Sequence, residues 1–538
     1  MPNGAEIMIE CLKNEGVEVV FGYPGAAICP FYDELPGSGI KHVLVRHEQH
    51  AAHAASGYAR SGGKPGVCVA TSGPGATNLI TGIATAYMDS VPMVAITGQV
   101  SSDLLGRDVF QEVDITGACE PFTKHSYLVR DARELCRVFK EAFHIAGTGR
   151  PGPVLIDIPI DIQKQQTDSF SYPEKADIIG YKPNVGGHAI QIKKAVQAIN
   201  AAQRPVICAG GGVFSAGGES RLARFAEKLQ IPIVSTMMGI GVLPSANPLN
   251  LGMMGSHGVA SANMAVRRAD LLILCGARVG DRAVASPEQV EKRTKIIHID
   301  IDPAEIGKNI GADIPIVGDI RKVLGRLLEQ TEAHWPRAWS REIAELKKPP
   351  SAAQKPGFIE PRYFMRTLSE LMRDDCILTA DVGQNQIWSA NNFEIKNSRL
   401  LTSCGLGTMG YSLPAAIGAQ SANPEKQVCC VLGDGSFQMN FMELATAVQN
   451  SLPVKIVVMR NTKLGMVNEL QRNLYGCRES GVDLTGSPDF IKLAAAYGIP
   501  AEEISENAAA PQAIKRMLET GGPYILQCAV NPDETSFN

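Results

Sequence analysis

Long apolar runs and blocks of like charge are both missing from this sequence. None of its 538 residues belongs to an apolar run of about 18 residues, the length that a membrane-spanning helix needs. The beginning, MPNGAEIMIECLKNEG, has no basic segment ahead of an apolar core, so we expect no signal peptide. With a net charge of −4 and no basic block, the chain gives no electrostatic reason to expect nucleic acid or a membrane as a partner.

Cysteine pairs of the C-x-x-C type are also missing. The 13 cysteines are an odd number, and most lie inside apolar runs, as Cys68, Cys208 and Cys429 do. Disulfide frameworks and zinc sites need cysteines at regular spacings, so we expect neither. We expect reduced core cysteines and a cytoplasmic location.

Apolar runs and helical segments alternate along three blocks of the chain. A chain of 538 residues is too long for one hydrophobic core and suggests roughly three domains. The blocks cover residues 1–165, 188–345 and 362–538, separated by a polar stretch at 163–187 and a Pro-rich stretch at 347–361. This alternation is typical of βαβ units, so we predict an α/β protein with three doubly wound parallel-sheet domains. The predicted strands are 17–21, 42–46, 66–70, 92–97 and 154–158, then 205–209, 232–236, 271–275, 295–301 and 314–317, then 377–380, 399–402, 427–432, 454–459 and 524–530.

The most informative stretch is VLGDGSFQMNFMELATAVQNSLPVKIVVMRNTKLGM, residues 431–466. An apolar strand ends in a Gly-Asp-Gly turn, a helical segment follows, and a second strand ends just before Asn461. A right-handed crossover brings the carboxyl ends of both strands to one edge of the sheet, so Asp434 and Asn461 are expected to meet there. A carboxylate and an amide oxygen suit Mg²⁺, and the glycine turn suits a phosphate. The alternative is a plain turn of any α/β protein.

Glu48 stands directly after a predicted strand and before an Ala-rich helix, in RHEQHAAHAASGYAR. One interpretation is a carboxylate that stabilises the N-terminus of the helix through its dipole. His47, His50 and His53 are spaced three apart, which leaves a metal cluster as a second interpretation. Glycine-rich turns at Gly25 and at Ser72-Gly73-Pro74-Gly75, with Asn78 following, also shape this end of the first domain.

Two further glycine patterns suggest dinucleotide sites. GLGTMG (405–410) matches G-x-G-x-x-G, but Glu425, the acidic residue at the right distance, stands in a polar turn and does not end a strand. The middle block places small or charged residues after successive strands, which suits an adenine-dinucleotide groove or ordinary turns. These residues are Gly210, Gly211, Gly212, Thr236, Gly276, Arg278, Asp300 and Asp302.

Taken in order, the motifs resemble those of the thiamine-diphosphate enzymes, and most closely those of the acetolactate synthase large catalytic subunits. The likeness covers nearly the whole chain. It rests on VFGYPGA (20–26), RHEQHAAHAASGYAR (46–60), TSGPGATN (71–78), FQEVD (110–114), GRPGPVLIDIP (149–159), MGIG (238–241), GMMGSHG (252–258), GLGTMG (405–410), GDGSFQM (433–439) and ELATA (443–447).

The resemblance implies a pyrimidine-binding first domain, a central flavin-type domain and a third domain that binds diphosphate and Mg²⁺. Glu48 would hydrogen-bond the aminopyrimidine ring of thiamine diphosphate and so promote removal of the thiazolium proton. Asp434, Asn461 and the backbone carbonyl of Lys463 would hold Mg²⁺, and Met409 would support the bent cofactor. The other implied cofactor residues are Gly25, Pro74, Asn78, Gly383, Gln384, Gly435, Ser436, Gly465 and Met466.

The resemblance also implies FAD in a structural role, held by Arg150, Gly211, Gly212, Thr236, Gly276, Arg278, Asp300 and Asp302. Gln111 and Arg282 are similar to family residues beside the acceptor substrate. Leu470 departs from the family, which usually has tryptophan in the LGMVxxW motif at this position of the substrate channel.

The implied reaction decarboxylates pyruvate and transfers the two-carbon unit to a second 2-keto acid. The product is 2-acetolactate or 2-aceto-2-hydroxybutyrate, precursors in branched-chain amino acid biosynthesis. The alternatives are a thiamine-diphosphate 2-keto acid decarboxylase, a pyruvate oxidase, another acyl-transferring carboligase, or a non-catalytic flavin-binding paralogue. The family builds each site between two chains, so the implied partners are a second copy in a homodimer or homotetramer and a small regulatory subunit.

Overall fold

A computed structural model of the chain describes residues 1–168, 170–284, 286–332, 338–345, 347 and 354–536. Part of the predicted Pro-rich connection at 347–361 lies outside these residues, as do short parts of the two predicted domains that flank it. Among the described residues, no helix is long and apolar enough to cross a membrane.

In the part of the chain that the structure describes, three six-stranded parallel sheets form the framework, one in each predicted block, which confirms the predicted α/β class. The strands of the first sheet are β1 (Val19–Tyr23), β2 (Lys41–Leu44), β3 (Gly66–Ala70), β4 (Met93–Gln99), β5 (His125–Leu128) and β6 (Pro153–Pro159). Those of the second are β7 (Pro205–Ala209), β8 (Ile233–Ser235), β9 (Asn250–Met253), β10 (Leu271–Cys275), β11 (Lys295–Asp300) and β12 (Ile314–Val317). Those of the third are β13 (Ile377–Ala380), β14 (Arg399–Leu401), β15 (Val428–Gly433), β16 (Lys455–Arg460), β17 (Ala501–Ile504) and β18 (Tyr524–Ala529).

Helices connect the strands and cover the sheets. In the first block they are α1 (Gly4–Asn14), α2 (Cys29–Glu34), α3 (Glu48–Gly62), α4 (Pro74–Asn78), α5 (Ile80–Met88), α6 (Ile115–Cys119), α7 (Leu135–Gly147) and α8 (Ile160–Lys164). The second block has α9 (Ala189–Ala201), α10 (Gly212–Ser215), α11 (Glu219–Leu229), α12 (Ala260–Arg268), α13 (Pro287–Glu291), α14 (Ile320–Gln330) and α15 (Ala338–Ala344). The third has α16 (Pro361–Leu371), α17 (Gln384–Asn392), α18 (Ser412–Ala422), α19 (Asp434–Asn440), α20 (Leu444–Gln449), α21 (Gly465–Leu474), α22 (Phe490–Ala496) and α23 (Ala510–Glu519).

The first and third sheets share one topology, although their sequences show no repeat. Their strand orders are β2-β1-β3-β4-β6-β5 and β14-β13-β15-β16-β18-β17, whereas the second sheet has the order β12-β11-β10-β7-β8-β9. The chain therefore reverses its direction of winding between β1 and β3, between β10 and β7, and between β13 and β15. Ligands of open α/β sheets bind at such points, beyond the carboxyl ends of the strands.

Each sheet contains one strand that the sequence did not predict, and each of these strands lies at a sheet edge. They are β5, β9 and β17, whose residues are largely half-buried or exposed. A strand exposed on one side does not need a continuous apolar run, and that run was the signal used for prediction. The predicted strands agree with the structure to within two residues at either end. The domain boundaries themselves stay a prediction.

The first and third domains share one hydrophobic core, centred on the contact between α3 and α18. A Cβ on Gly57 would lie 2.0 Å from the carbonyl oxygen of Ala415, and a Cβ on Gly418 would lie 1.8 Å from that of Ala54. Only glycine permits so close an approach of two helix backbones. The helix that begins with Glu48 is therefore rigidly attached to the third domain of the same chain.

Candidate functional site

Asp434 is the buried carboxylate at the carboxyl end of β15, where α19 begins. Its Oδ1 accepts the backbone N–H of Gly435 at 3.1 Å, and its Oδ2 accepts that of Thr462 at 2.7 Å. Thr462 follows the neighbouring strand β16, so the two strand ends are held together as the crossover argument predicts. Burial is the main cause that raises the pKa of Asp434 to about 6, because the site has little compensating positive charge.

Asn461 lies beside Asp434 and faces the next loop of the sheet. Its Oδ1 accepts the backbone N–H of Lys463 at 3.1 Å, and its Nδ2 donates to Oε1 of Gln384 at 3.2 Å. A Cβ on Gly465 would lie 2.1 Å from Oε1 of Gln384. Three segments that are distant in sequence therefore converge within hydrogen-bonding distance at this edge.

The N-termini of α17, α19 and α21 all begin at this edge, because β13, β15 and β16 are neighbours. Gly383, the residue that precedes α17, has φ +140°, a conformation that side-chain-bearing residues rarely adopt. Free backbone N–H groups and helix dipoles at such N-termini favour an anion. The edge can thus hold a diphosphate on N–H groups and a metal on oxygens.

Met409 and Ser436 belong to the same edge. A Cβ on Gly435 would lie 3.5 Å from the terminal methyl group of Met409. The loop that carries Met409 is held by buried Asp381, which accepts the backbone N–H groups of Gly410 and Ser412 at 2.9 Å each. Ser436 also hydrogen-bonds Asp381, whose pKa is raised by burial.

Glu48 lies in the first domain, at the start of α3. One carboxylate oxygen accepts Nδ2 of Asn78 at 2.9 Å. The other would lie 3.3 Å from a Cβ on Gly75, so the glycine keeps the carboxylate accessible. A Cβ on Gly25 would lie 2.5 Å from the side chain of Thr71. The turn residues of β1 and β3 thus surround Glu48 at the reversal point of the first sheet.

Gln111 packs on the same turn. Its backbone has φ +61°, and its Cβ would lie 2.9 Å from a Cβ on Gly73, the residue before Pro74. The neighbouring Phe110 is 86% exposed, unusually high for such a side chain. Among the described residues, no hydrogen bond or ion pair joins Glu48 to Asp434, Asn461 or Gln384.

The histidines around Glu48 contact polar side chains of the protein. His50 Nδ1 lies 2.8 Å from Oε1 of Glu443, and His53 Nε2 lies 3.3 Å from Nε2 of Gln49. Burial lowers the pKa of His53 to about 3. Within the described part of the chain, no group of three or more His, Cys, Asp or Glu side chains is placed to hold a metal. The histidine metal cluster is therefore wrong.

A cavity of about 1030 Å³ lies between the domains and is lined by most of the residues predicted to hold FAD. Gly212 donates its backbone N–H to the carbonyl of Gly276 at 3.0 Å, and a Cβ on Gly212 would lie 2.8 Å from Cα of Gly276. This contact joins the turns after β7 and β10, the reversal point of the second sheet. The predicted residues that line the cavity are Arg150, Gly211, Gly212, Thr236, Gly276, Arg278, Arg282, Asp300 and Met466.

Charged groups concentrate at one wall of this cavity. Arg150 donates to Asp302 at 3.2 Å and to Glu305 at 2.7 Å, which joins the first domain to the second. Asp300 ends β11, and burial raises the pKa of its carboxyl to about 6. Arg278 lies near buried Asp89, whose carboxylate accepts the backbone N–H of Gly405 at 2.7 Å.

Helix α21 and the last described residues of the chain form a further part of the cavity wall. Glu469 accepts Nε2 of Gln384 at 3.0 Å, and it also accepts the backbone N–H and hydroxyl groups of Ser536. Leu470 is 36% exposed at this wall, and Arg282, on the second domain, is largely exposed. The segment that contains Ser536 is thus attached to the helix that borders both Gln384 and the cavity.

Comparison with known proteins matches all three blocks. Residues 2–118 match the thiamine pyrophosphate enzyme N-terminal TPP binding domain, 192–327 the central domain, and 381–528 the C-terminal TPP binding domain. The chain is 48% identical to a Methanocaldococcus jannaschii protein named "Probable acetolactate synthase large subunit", over 99% of this chain and 92% of that protein. It is 46% identical to the acetolactate synthase of Arthrospira platensis, over 99% and 95% of the two chains, and 45% identical to the acetolactate synthase large subunit of Corynebacterium glutamicum, over 98% and 87%.

The chain belongs to the acetolactate synthase family of thiamine pyrophosphate enzymes. The resemblance found in its motifs is thereby confirmed. Its first and third domains are the two cofactor-binding domains of this acetolactate synthase family, and they contain Glu48 and Asp434 respectively.

For five buried acids of this acetolactate synthase fold, the sequence did not predict the contacts that the structure shows, although Glu443 stands in the quoted ELATA motif. Their partners lie about 30 to 400 residues away in the chain, so the local sequence pattern does not indicate the pairing. Asp381 follows an apolar strand directly, which is a usable signal; the others lie within helices or turns. They are Asp89, Glu305, Asp381, Glu443 and Glu469.

Proposed function

We propose that this protein decarboxylates pyruvate and joins the two-carbon unit to a second 2-keto acid, giving 2-acetolactate or 2-aceto-2-hydroxybutyrate. The observation that carries the proposal is the meeting of Asp434, Asn461 and Gln384 at the reversal point of the third sheet, in a chain of the acetolactate synthase family. Small 2-keto acids are the substrates, in branched-chain amino acid biosynthesis.

The oxygen atoms at the edge of the third sheet fit Mg²⁺ as a ligand set. Asp434 and Asn461 each use oxygen lone pairs for backbone N–H groups and keep others free for a metal. Such hard oxygen ligands are those that Mg²⁺ prefers, usually together with phosphate oxygens. A dication would also favour the charged form of Asp434, which burial alone disfavours. We assign the third protein ligand to the backbone carbonyl of Lys463.

The same edge fits the diphosphate of thiamine diphosphate. Gly383, Gln384, Gly435, Ser436, Gly465 and Met466 present backbone N–H groups at the starts of three helices. Met409 borders the turn and supports the organic part of the cofactor. When bound, this cofactor supplies a carbanion and an electron sink for the loss of carbon dioxide.

Glu48 is the proposed catalytic carboxyl. In the first domain it is held by Asn78 and kept open by Gly75. A carboxyl at the pyrimidine ring can hydrogen-bond a ring nitrogen and so assist proton transfer within the cofactor. General acid–base assistance of this kind is typically worth about 10²- to 10⁴-fold in rate. Gly25 and Pro74 form the wall beside it.

The large cavity fits a structural FAD. Its volume of about 1030 Å³ is at the upper end of the range for ligand pockets. Glycine turns at Gly212 and Gly276 permit close approach of a pyrophosphate, and Asp300 ends the strand where a ribose carboxylate is expected. Arg150, Gly211, Thr236, Arg278 and Asp302 complete the proposed set.

Acceptor recognition is assigned to Gln111 and Arg282. A guanidinium at the mouth of the cavity can pair with the carboxylate of the second 2-keto acid. Gln111 borders the turn beside Glu48, on the first domain. Arg282 lines the cavity and Gln111 does not, so the assignment of both to the acceptor rests on the family resemblance.

Glu48 and Asp434 belong to different cofactor-binding domains, and the resemblance implies that each site takes one half from each of two chains; both support a homodimer or homotetramer. The word "large" in the names of the relatives supports a small regulatory subunit as a further partner. The cytoplasmic location expected from the cysteines stays a prediction.

The test is cofactor-dependent consumption of pyruvate. Protein dialysed against a chelator should consume pyruvate only after thiamine diphosphate and Mg²⁺ are both restored. Glu48→Gln should slow hydrogen–deuterium exchange at C2 of the cofactor by at least about 10²-fold, as followed by proton NMR. Exchange at the wild-type rate would remove Glu48 from the proposed role.

A further inference from the structure

Glu443 is a fully buried carboxylate that joins the third domain to the loop in front of Glu48. It lies in the short turn Phe441–Glu443, directly after α19, the helix that begins with Asp434. Two of its partners, Arg46 and His50, are in the first domain, almost 400 residues away in sequence, since the separation of Arg46 and Glu443 is 397. A buried carboxylate must be well hydrogen-bonded to be tolerated, so its contacts are specific.

The two carboxylate oxygens of Glu443 contact different groups. Oε1 accepts the backbone N–H of Arg46 at 2.8 Å and lies 2.8 Å from Nδ1 of His50. Oε2 accepts the hydroxyl of Thr446 at 2.6 Å, and that hydroxyl lies 3.1 Å from the carbonyl oxygen of Leu44. One carboxylate therefore contacts the chain two residues before and two residues after Glu48.

The side chain of Arg46 adds a weaker, exposed contact between the first and third domains. Its guanidinium donates to Oε1 of Gln449 at 2.7 Å, in an exposed position. Exposed hydrogen bonds contribute little because water replaces them. Gln449 thus offers a control for Glu443, since both join the same loop to the same segment of the third domain.

We propose that Glu443 is a positioning residue for catalysis, which fixes the orientation of Glu48 through the backbone of Arg46 and through His50. The inference rests on the proposed role of Glu48. Asp434 begins α19, a helix of seven residues that spans about 10 Å, and Glu443 lies three residues beyond the last residue of that helix. The orientation of Glu48 is therefore set by the turn that directly follows the helix carrying the proposed metal carboxylate of this chain.

The test combines Glu443→Ala, Glu443→Gln and the control Gln449→Ala. Hydrogen–deuterium exchange of the cofactor-free protein, followed by mass spectrometry, should show faster exchange in Glu443→Ala confined to residues 44–50. In the holoenzyme, kcat should fall about 10- to 100-fold, the loss expected for a misplaced catalytic group. The Kd for thiamine diphosphate should change less than about threefold, because the diphosphate edge is untouched.

Glu443→Gln should recover most of the lost kcat, because the amide oxygen can still accept from Arg46. Gln449→Ala should match the wild type in both measurements. If Glu443→Ala fails to fold, the nearly isosteric Thr446→Val replaces it and should give the same localised increase in exchange, of smaller size.

Wild-type protection of residues 44–50 in Glu443→Ala, or in Thr446→Val where that replaces it, would overturn the proposal. The proposal would also be overturned if protection from exchange were lost over the whole chain while kcat stayed unchanged. The exchange measurement needs no turnover, so its result is separate from a failure of the wild-type protein to consume pyruvate, which would instead refute the proposed function.

Discussion

The backbone N–H of Thr462 donates to the buried carboxylate of Asp434 at 2.7 Å, which joins the carboxyl ends of β15 and β16. The bond places Asn461 beside Asp434 and leaves oxygens of both directed at one edge of the sheet. We expect Asp434→Ala to abolish Mg²⁺-dependent retention of thiamine diphosphate, because the metal loses its only carboxylate ligand in the proposed set. Equilibrium dialysis with and without Mg²⁺ measures this. Asp374→Ala, which removes an exposed partner of Lys396, is the control and should retain the cofactor.

The assembly of the site from two chains is open to a complementation experiment. Glu48→Gln and Asp434→Ala chains should each be inactive when alone. Co-expressed with two different affinity tags, they should form mixed dimers in which one of the two sites has both native residues. Activity in the doubly purified fraction is the expected result, because the two defects fall in the same site and leave the other intact. Sites built within single chains would leave that fraction as inactive as its parents.

The glycine contact at the reversal point of the second sheet makes flavin binding testable. A Cβ on Gly212 would lie 2.8 Å from Cα of Gly276, a distance that real Cβ atoms do not show. We expect Gly212→Ala to push the two turns apart and to lower the flavin absorbance of the purified protein. Gly186→Ala is the matched control, because its Cβ would meet nothing within 4 Å. Equal visible absorbance in both variants would contradict the assignment of these turns to FAD.

Asp157 should make the stability of the first domain depend on pH. It is buried on β6, where it accepts the hydroxyl of Thr97 at 2.6 Å and the amide of Gln99 at 2.9 Å, and burial raises its pKa to about 7. Since the unfolded pKa is near 3.8, the folded state binds more protons between these values. The wild type therefore loses stability as pH rises from about 4 to about 7, by at most about 4 kcal/mol.

Asp157→Asn removes this dependence while preserving the shape of the side chain. The Tm of the variant relative to the wild type should therefore rise between pH 4 and pH 8, as measured by calorimetry. A difference in Tm that stays constant over this range would show that the pKa of this carboxyl in the folded protein is not raised above its unfolded value.

The centre of each sheet was predictable because buried parallel strands require unbroken apolar runs, as at Leu271–Cys275. One edge strand of each sheet was not, since a sequence such as HSYL at His125–Leu128 is half exposed. The meeting of Asp434 with Asn461 followed from the handedness of one crossover, which spans a short part of the chain.

Contacts between domains could not be predicted from the sequence. Glu443 and Arg46 belong to separate sheets, and nothing local in either segment indicates the other. The same holds for Glu469, whose bonds to Gln384 and Ser536 depend on how the end of the chain folds back. The small residues of α3 and α18 were visible, but their close approach became meaningful only when the two helices were seen to cross at Gly57 and Gly418.

The most direct test of the central claim is the identity of the product that the purified wild-type protein forms from pyruvate in the presence of thiamine diphosphate and Mg²⁺. NMR analysis of the reaction should show 2-acetolactate, in a yield that falls when either cofactor is left out. Acetaldehyde as the main product would indicate a decarboxylase, acetyl phosphate formed with phosphate and oxygen would indicate an oxidase, and unconsumed pyruvate would indicate a non-catalytic paralogue. Any of these three results would contradict the proposed carboligation.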